Sequence, residues 1–142
     1  MMLYPAVIVH GMEDVCTALR PRLPVLLLSA PAAAVFAGCG FWLALIGLAR
    51  ENFPAATFQD ALDCADAPGI ALAAIRAGQR TLILRTDAPG FAAVAAIAAE
   101  NGLCLFGEPP PALDLAWRGA ARKLSAWLAQ PPANIDSAAR LR

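Results

Sequence analysis

A short repeat constrains the fold of this chain more than any other sequence feature. The tetrapeptide Asp-Ala-Pro-Gly begins at Asp66 and again at Asp87, and an alanine-rich stretch and an apolar run follow each copy. Gly78 closes the first alanine-rich stretch and Gly102 closes the second. Aspartate is a favoured N-cap, proline is favoured in the first helical turn, and glycine is favoured just beyond a helix. The repeat therefore predicts two consecutive helix–strand units with Asp66 and Asp87 as helix N-caps.

Apolar runs alternate with helical stretches along the rest of the chain. The predicted strands lie at 6–10, 25–29, 57–64, 81–86 and 103–107, and the predicted helices lie at 13–20, 32–52, 68–77, 89–100 and 111–130. Most of the strand runs are continuously apolar, which is typical of parallel strands that are buried on both faces. The run at 57–64 alternates instead between apolar and polar residues, so it predicts a less buried strand.

Strands that alternate with helices and connect by right-handed crossovers give a parallel sheet between helical layers. We expect one α/β domain over residues 1–130, a three-layer αβα sandwich with a five-stranded parallel sheet of the flavodoxin-like type. We assume the strand order 2-1-3-4-5, which is common for five such units. The polar residues at 131–142 predict a flexible C-terminal tail.

The charge balance argues against nucleic acid as a partner. The chain has 11 Lys and Arg residues against 11 Asp and Glu residues, and no basic stripe carries interleaved aromatic residues. The first residues lack the basic start of a signal peptide, and the four cysteines form no C-x-x-C pair. We therefore expect a cytoplasmic protein with reduced thiols.

The segment at 32–49 has no charged residue and is as long as the shortest membrane spans. A turn at 29–31 precedes it and no cationic flank orients it, so we expect a soluble helix that does not enter a membrane. Charged residues make up 15% of the chain, against about 25% in typical soluble domains. We therefore expect a homodimer through the outward side of this helix, with Trp42 and Leu45 pointing outward. The helix with Trp117 and Trp127 is the alternative interface.

Ligands in open α/β sheets bind at the carboxyl ends of the strands, where the strand order reverses. With the assumed order, this point lies between the first and third strands, and His10, the only histidine, follows the first strand. A histidine placed there could act as a general base or metal ligand, or could simply be hydrogen-bonded at the edge of the core. The other residues predicted at this edge are Ser29, Asp63, Cys64, Asp66, Thr86, Asp87 and Glu108.

Cys64 is the candidate nucleophile at this edge. Its position just before a helix favours the thiolate, and His10 could serve as its base. The neighbouring carboxylates of Asp63 and Asp66 have the opposite effect and raise a thiol pKa, which favours an inert thiol.

The acidic residues of the edge allow two interpretations. The carboxylates of Asp63, Asp66, Asp87 and Glu108 could gather around a hard cation such as Mg²⁺. Alternatively, Asp66 and Asp87 serve as helix caps and are satisfied locally.

No phosphate-binding loop, dinucleotide fingerprint or nucleophile elbow is present in the sequence. The sequence therefore favours a small-molecule- or metal-binding regulatory or scaffold module, which acts as a homodimer and has no catalysis of its own. The alternative is a small enzyme that uses His10 with Asp63 or Cys64. The sequence identifies no cofactor.

Overall fold

The computed structural model describes residues 2–134, which form a mixture of strands and helices. The elements in chain order are β1 (Met2–Leu3), β2 (Ala6–Ile8), α1 (Met12–Leu19), β3 (Val25–Leu28), α2 (Ala33–Phe36), α3 (Cys39–Asn52), β4 (Phe58–Asp63), α4 (Pro68–Ala77), β5 (Thr81–Ile83), α5 (Phe91–Glu100), β6 (Cys104–Phe106), β7 (Ala112–Asp114), α6 (Ala120–Leu128) and β8 (Ala133–Asn134).

Six strands form one parallel sheet in the order β6-β5-β4-β3-β2-β7. The predicted α/β class, with a parallel sheet flanked by helices, is confirmed, and the sheet has six strands instead of five. The assumed order 2-1-3-4-5 is wrong. The five predicted strands lie side by side in chain order, because β7, which the sequence analysis did not detect, occupies the other side of β2.

The two faces of the sheet are buried differently. The larger core cluster joins one face to buried residues of all six helices, among them Val15, Ala34, Ile46, Ala71, Val94 and Leu124. The smaller cluster consists of Leu3, Ala6, Leu26, Leu28, Ala61, Ile83 and Phe106, none of which belongs to a helix. The layers on the two sides of the sheet are therefore unequal.

The connection between β6 and β7 requires a curled sheet. These strands lie at opposite edges, yet only residues 107–111 separate them. Six residue steps span at most roughly 22 Å. Five strand spacings of about 4.8 Å would place the edges of a flat sheet about 24 Å apart, before the chain travels back to start a parallel strand. The edges must therefore approach each other, which brings the residues of the smaller cluster closer together on their face of the sheet.

The predicted helix at 32–52 is interrupted. Gly38 has φ of +83°, in the left-handed region, and separates the short α2 from α3. The side chains of Trp42 and Leu45 are 2% and 5% exposed, so the prediction that they point outward is wrong. The outward side of this segment carries Val35, Phe36 and Phe41 instead.

The predicted helix at 111–130 is also wrong over its first half. Ala112–Asp114 forms β7, and α6 begins only after Gly119, whose φ is +78°. Leu113 is buried in the sheet, while Trp117 is 61% exposed between the two elements. The apolar residues of 111–130 have helical spacing, but the alternation of apolar and polar residues around Leu113 favours a strand, and Gly119 with its positive φ separates this strand from α6.

The predicted roles of Asp66 and Asp87 as helix N-caps are wrong. The N-cap of α4 is Ala67 and that of α5 is Gly90, and neither helix start has a side-chain capping bond. Asp87 instead pairs with Arg85, at 3.0 Å. The start of α4 at Pro68 and the ends of both helices, at Gly78 and Asn101, agree with the sequence analysis.

Part of the predicted tail is ordered as a strand. Ala133 and Asn134 pair antiparallel with β1, and the remainder, 135–142, lies outside the described residues. Within residues 2–134, none of the helices has the length and apolar character that a bilayer crossing requires.

Candidate functional site

The reversal of strand order places the candidate site between β2 and β7. From β2 the chain adds strands in one direction as far as β6, and it then returns to the other side of β2 to form β7. His10 follows β2, and Asp114 is the last residue of β7. The point at which ligands bind in sheets of this type therefore lies between these two side chains.

His10 and Asp114 form a close pair at this point. The His10 Nε2 atom lies 2.7 Å from the Asp114 Oδ1 atom, and the two side chains are 38% and 14% exposed. The carboxylate is an acceptor, so Nε2 is the donor of this hydrogen bond. The same Oδ1 atom accepts a bond from the Ala116 amide at 2.9 Å, and Asp14 accepts a bond from the His10 amide. These contacts fix the ring, and no residue from 2 to 134 bonds its Nδ1 atom.

A small apolar pocket opens beside the His10 ring. Its volume is about 90 Å³, and its lining includes Ser29, Phe36, Phe41 and Trp42. Space of this size holds a few water molecules or a ligand of a few heavy atoms. The pocket combines an apolar wall with one oriented imidazole, which is a common composition for ligand sites.

Ser29 and Asp63 hold the neighbouring strand ends together. The Ser29 hydroxyl accepts a bond from the Asp63 amide at 2.9 Å and donates to the Ala30 carbonyl. The Asp63 carboxylate accepts a bond from the Ala65 amide at 2.8 Å and is buried. Among the described residues, neither side chain bonds to His10, so the structure does not form the predicted pairing of His10 with Asp63.

Cys64 has the environment of an unreactive thiol. Its side chain is fully buried in the larger core cluster. Burial raises the pKa of this thiol to about 12, and the nearby Asp63 carboxylate and the Cys39 thiol add to the effect. Because so little thiolate forms at neutral pH, and because the His10 ring bonds Asp114 instead, a nucleophile–base pair of Cys64 with His10 is not assembled.

Among the described residues, none of the remaining predicted ones bonds to the pair or lines its pocket. Asp66, Thr86, Asp87 and Glu108 are all exposed. Among residues 2–134, no group of three His, Cys, Asp or Glu side chains is arranged to hold a metal ion. The predicted gathering of carboxylates around a cation is therefore not seen in this part of the chain.

Sequence reasoning missed Asp114, the partner of His10. The residue lies in the segment predicted as helix 111–130, so it was not placed at a strand end. Three consecutive prolines at 109–111 precede a short alternation around Leu113, and Gly119 follows it. These signals favour a strand and a new helix start over one continuous helix.

No protein-family model matches the chain, and no curated protein sequence is significantly similar to it. The fold and the pair define an α/β protein with a candidate ligand site at the switch point of its sheet.

Proposed function

We propose that the chain is a homodimeric, cytoplasmic module that binds a small molecule at the His10 site and has no catalysis of its own. The observation that carries this proposal is the His10–Asp114 pair at the point where strand order reverses, beside an apolar pocket. Among residues 2–134, no side chain or backbone group bonds the Nδ1 atom of the imidazole, and the Ser29 hydroxyl in the pocket lining bonds the Asp63 amide and the Ala30 carbonyl instead of His10.

The chemistry of the pocket defines the ligand class. With Nε2 donating to Asp114, the neutral ring presents Nδ1 as an acceptor. Phe36 and Phe41 provide an apolar wall next to it. A small molecule with a hydroxyl or amide donor and a short apolar body is complementary to this surface.

The dimer part of the proposal rests on the outward side of α2 and α3. Val35, Phe36, Phe41 and Leu48 are exposed there, and α3 has no charged residue before Arg50. Several exposed apolar residues on two neighbouring helices are typical of an interaction surface, and a two-fold axis would let the same patch serve both copies. Because Phe36 and Phe41 also line the pocket, a second copy on this face would narrow the pocket mouth.

The single histidine gives this binding site a unique spectroscopic reporter. Propan-2-ol and N-methylacetamide, titrated separately, should shift the ¹⁵N resonance of His10 Nδ1 saturably in the millimolar range. Phe36→Ala should weaken this response because it removes an apolar wall, whereas Ile70→Ala, an exposed position on α4, should not. A linear response with both compounds, or an unchanged response in Phe36→Ala, would contradict the proposal.

A second candidate function is proton transfer, and the short His10–Asp114 contact favours it. A carboxylate that orients an imidazole is a common arrangement for a general base. If His10 acts catalytically, His10→Gln should lower the rate of p-nitrophenyl acetate hydrolysis by about 100-fold or more. If the binding proposal is correct, the wild-type rate should not exceed that of free imidazole at the same concentration.

A further inference from the structure

A second cavity lies at the amino ends of β3 and β4, whereas His10 follows the carboxyl end of β2. Its volume is about 640 Å³, and it is enclosed by the end of α1, the end of α3 and the segments that lead into β3 and β4. Pockets that bind small organic molecules have volumes of about 300–1,000 Å³. The cavity is thus large enough for a ligand of ten or more heavy atoms, which the pocket beside His10 is not.

The lining of this cavity combines apolar walls with two cations. Leu19, Leu23 and Phe53 contribute apolar surface, and Arg20 and Arg22 contribute two exposed guanidinium groups. None of the described residues that line the cavity is acidic. Neither arginine forms an ion pair with any residue from 2 to 134. The described residues that line the cavity therefore provide no negative charge to balance the two guanidinium groups.

The backbone at this cavity adds a smaller charge of the opposite sign. Both α1 and α3 end here, and a helix C-terminus carries about half a negative charge. Two full positive charges exceed these two partial charges, so an anion is still favoured. Arg22 also has φ of +59°, a conformation that non-glycine residues adopt rarely and that is enriched at functional sites.

We propose that this cavity binds an amphipathic organic anion. Arg20 and Arg22 would hold its carboxylate, sulfonate or phosphate group, and Leu23 and Phe53 would cover its apolar body. Guanidinium groups suit this task because their planar donors match oxyanions. The site is separate from the one around His10, and its occupant is larger and of different charge.

Two dyes of nearly the same shape test the proposal. Anilinonaphthalene sulfonate is an amphipathic anion, and N-phenylnaphthylamine is its neutral counterpart. In fluorescence titrations the sulfonate should bind about tenfold more tightly than the neutral dye. The double variant Arg20→Gln/Arg22→Gln should lose this advantage while its affinity for the neutral dye stays unchanged. Arg76→Gln removes an exposed charge on α4 outside the cavity and should have no effect.

Two further experiments test whether the dyes bind in this cavity. One fills the cavity with a larger side chain, and the other measures whether bound dye protects a thiol in the lining. Ala55→Trp places a large side chain in the lining and should reduce the binding of both dyes, whereas Ala96→Trp on α5 should not. Cys16 lines the cavity, so bound sulfonate should slow its alkylation by iodoacetamide; Cys39, which does not line it, should react at the same rate. Equal affinities for the two dyes, no effect of the double arginine variant, or dye binding unaffected by Ala55→Trp would overturn the proposal.

Discussion

At the scale of single residues, Cys64 shows how position within the core decides the chemistry of a side chain. Sequence placed this thiol before a helix, where the helix dipole would favour the thiolate, and beside carboxylates that would oppose it. The fold buries the thiol completely, and burial is the largest cause of its raised pKa. The interpretation as an inert thiol therefore has a physical basis that the sequence could only suggest.

The raised pKa of Cys64 predicts a loss of stability in alkali. The thiol pKa is about 12 in the folded chain and near 9.0 when solvent-exposed, so between these pH values the unfolded chain loses a proton that the folded chain retains. The free energy of unfolding should therefore fall as pH rises from about 9 towards 12, by about 1.4 kcal/mol per pH unit for this group. Urea unfolding between pH 7 and about pH 10.5 measures the slope.

Two alanine variants separate Cys64 from the other groups that titrate in alkali. Cys64→Ala should remove most of this slope, whereas Cys16→Ala leaves the buried thiol in place and should retain it. An identical slope in wild type and Cys64→Ala would show that the thiol is not the origin of the effect.

The His10 pair shows what residue-level reasoning could and could not provide. His10 could be placed at a strand end because an apolar run stops just before it. Its partner could not be identified, because Asp114 lies 104 residues away and the pairing depends on β7 returning to the side of β2. Local patterns assign a residue to an element, but they do not define which distant elements become neighbours.

At the scale of elements, helix boundaries coincide with glycines of positive φ and not with the ends of the helically spaced apolar residues. Gly38 and Gly119 both have positive φ, and each separates elements that the apolar pattern had joined into one helix. The ends of α4 and α5 could be predicted, because Gly78 and Gly102 have positive φ and glycine is favoured at this position of a helix end. The start of α4 at Pro68 could also be predicted, but the caps could not, since Asp66 and Asp87 lie before the actual N-cap residues.

The outward side of α2 and α3 leads to a prediction about association. Wild-type protein at low micromolar concentration should sediment with a mass near twice 14.8 kDa. Phe41→Arg should give a monomer, because burying an unpaired charge at the interface costs about 3–5 kcal/mol. Ala96→Arg, which adds the same charge to an exposed position of α5, should remain dimeric. A wild-type monomer, or a dimer that survives Phe41→Arg, would show that this face does not pair.

The choice of position matters for that experiment. Trp42 and Leu45, which the sequence suggested as interface residues, are buried in the larger core cluster. An arginine at either position would disrupt the core of the monomer, and loss of the dimer would then have no clear origin. Phe41 is 52% exposed, so an arginine at this position leaves the core of the monomer intact.

At the scale of the whole molecule, the curled sheet connects the fold to the candidate site. Residues 107–111 must carry the chain from the edge at β6 to the edge at β7. β7 in turn supplies Asp114, the partner of His10. The length of this connection therefore determines whether the sheet edges can approach and whether the site can form.

This dependence predicts an asymmetry between shortening and lengthening the connection. Deleting Pro110 shortens a connection that already has few residues with which to cross between the edges, and because Leu113 is buried, a shift of β7 to compensate would expose it. The deletion should lower the free energy of unfolding by about 2 kcal/mol or more. Inserting one glycine after Pro110 adds only loop-closure entropy and should cost about 0.5 kcal/mol or less. The ring resonances of His10 should change in the deletion, because Asp114 is displaced, and stay unchanged in the insertion. If the deletion is tolerated as well as the insertion, the connection has slack and its length does not limit the position of β7.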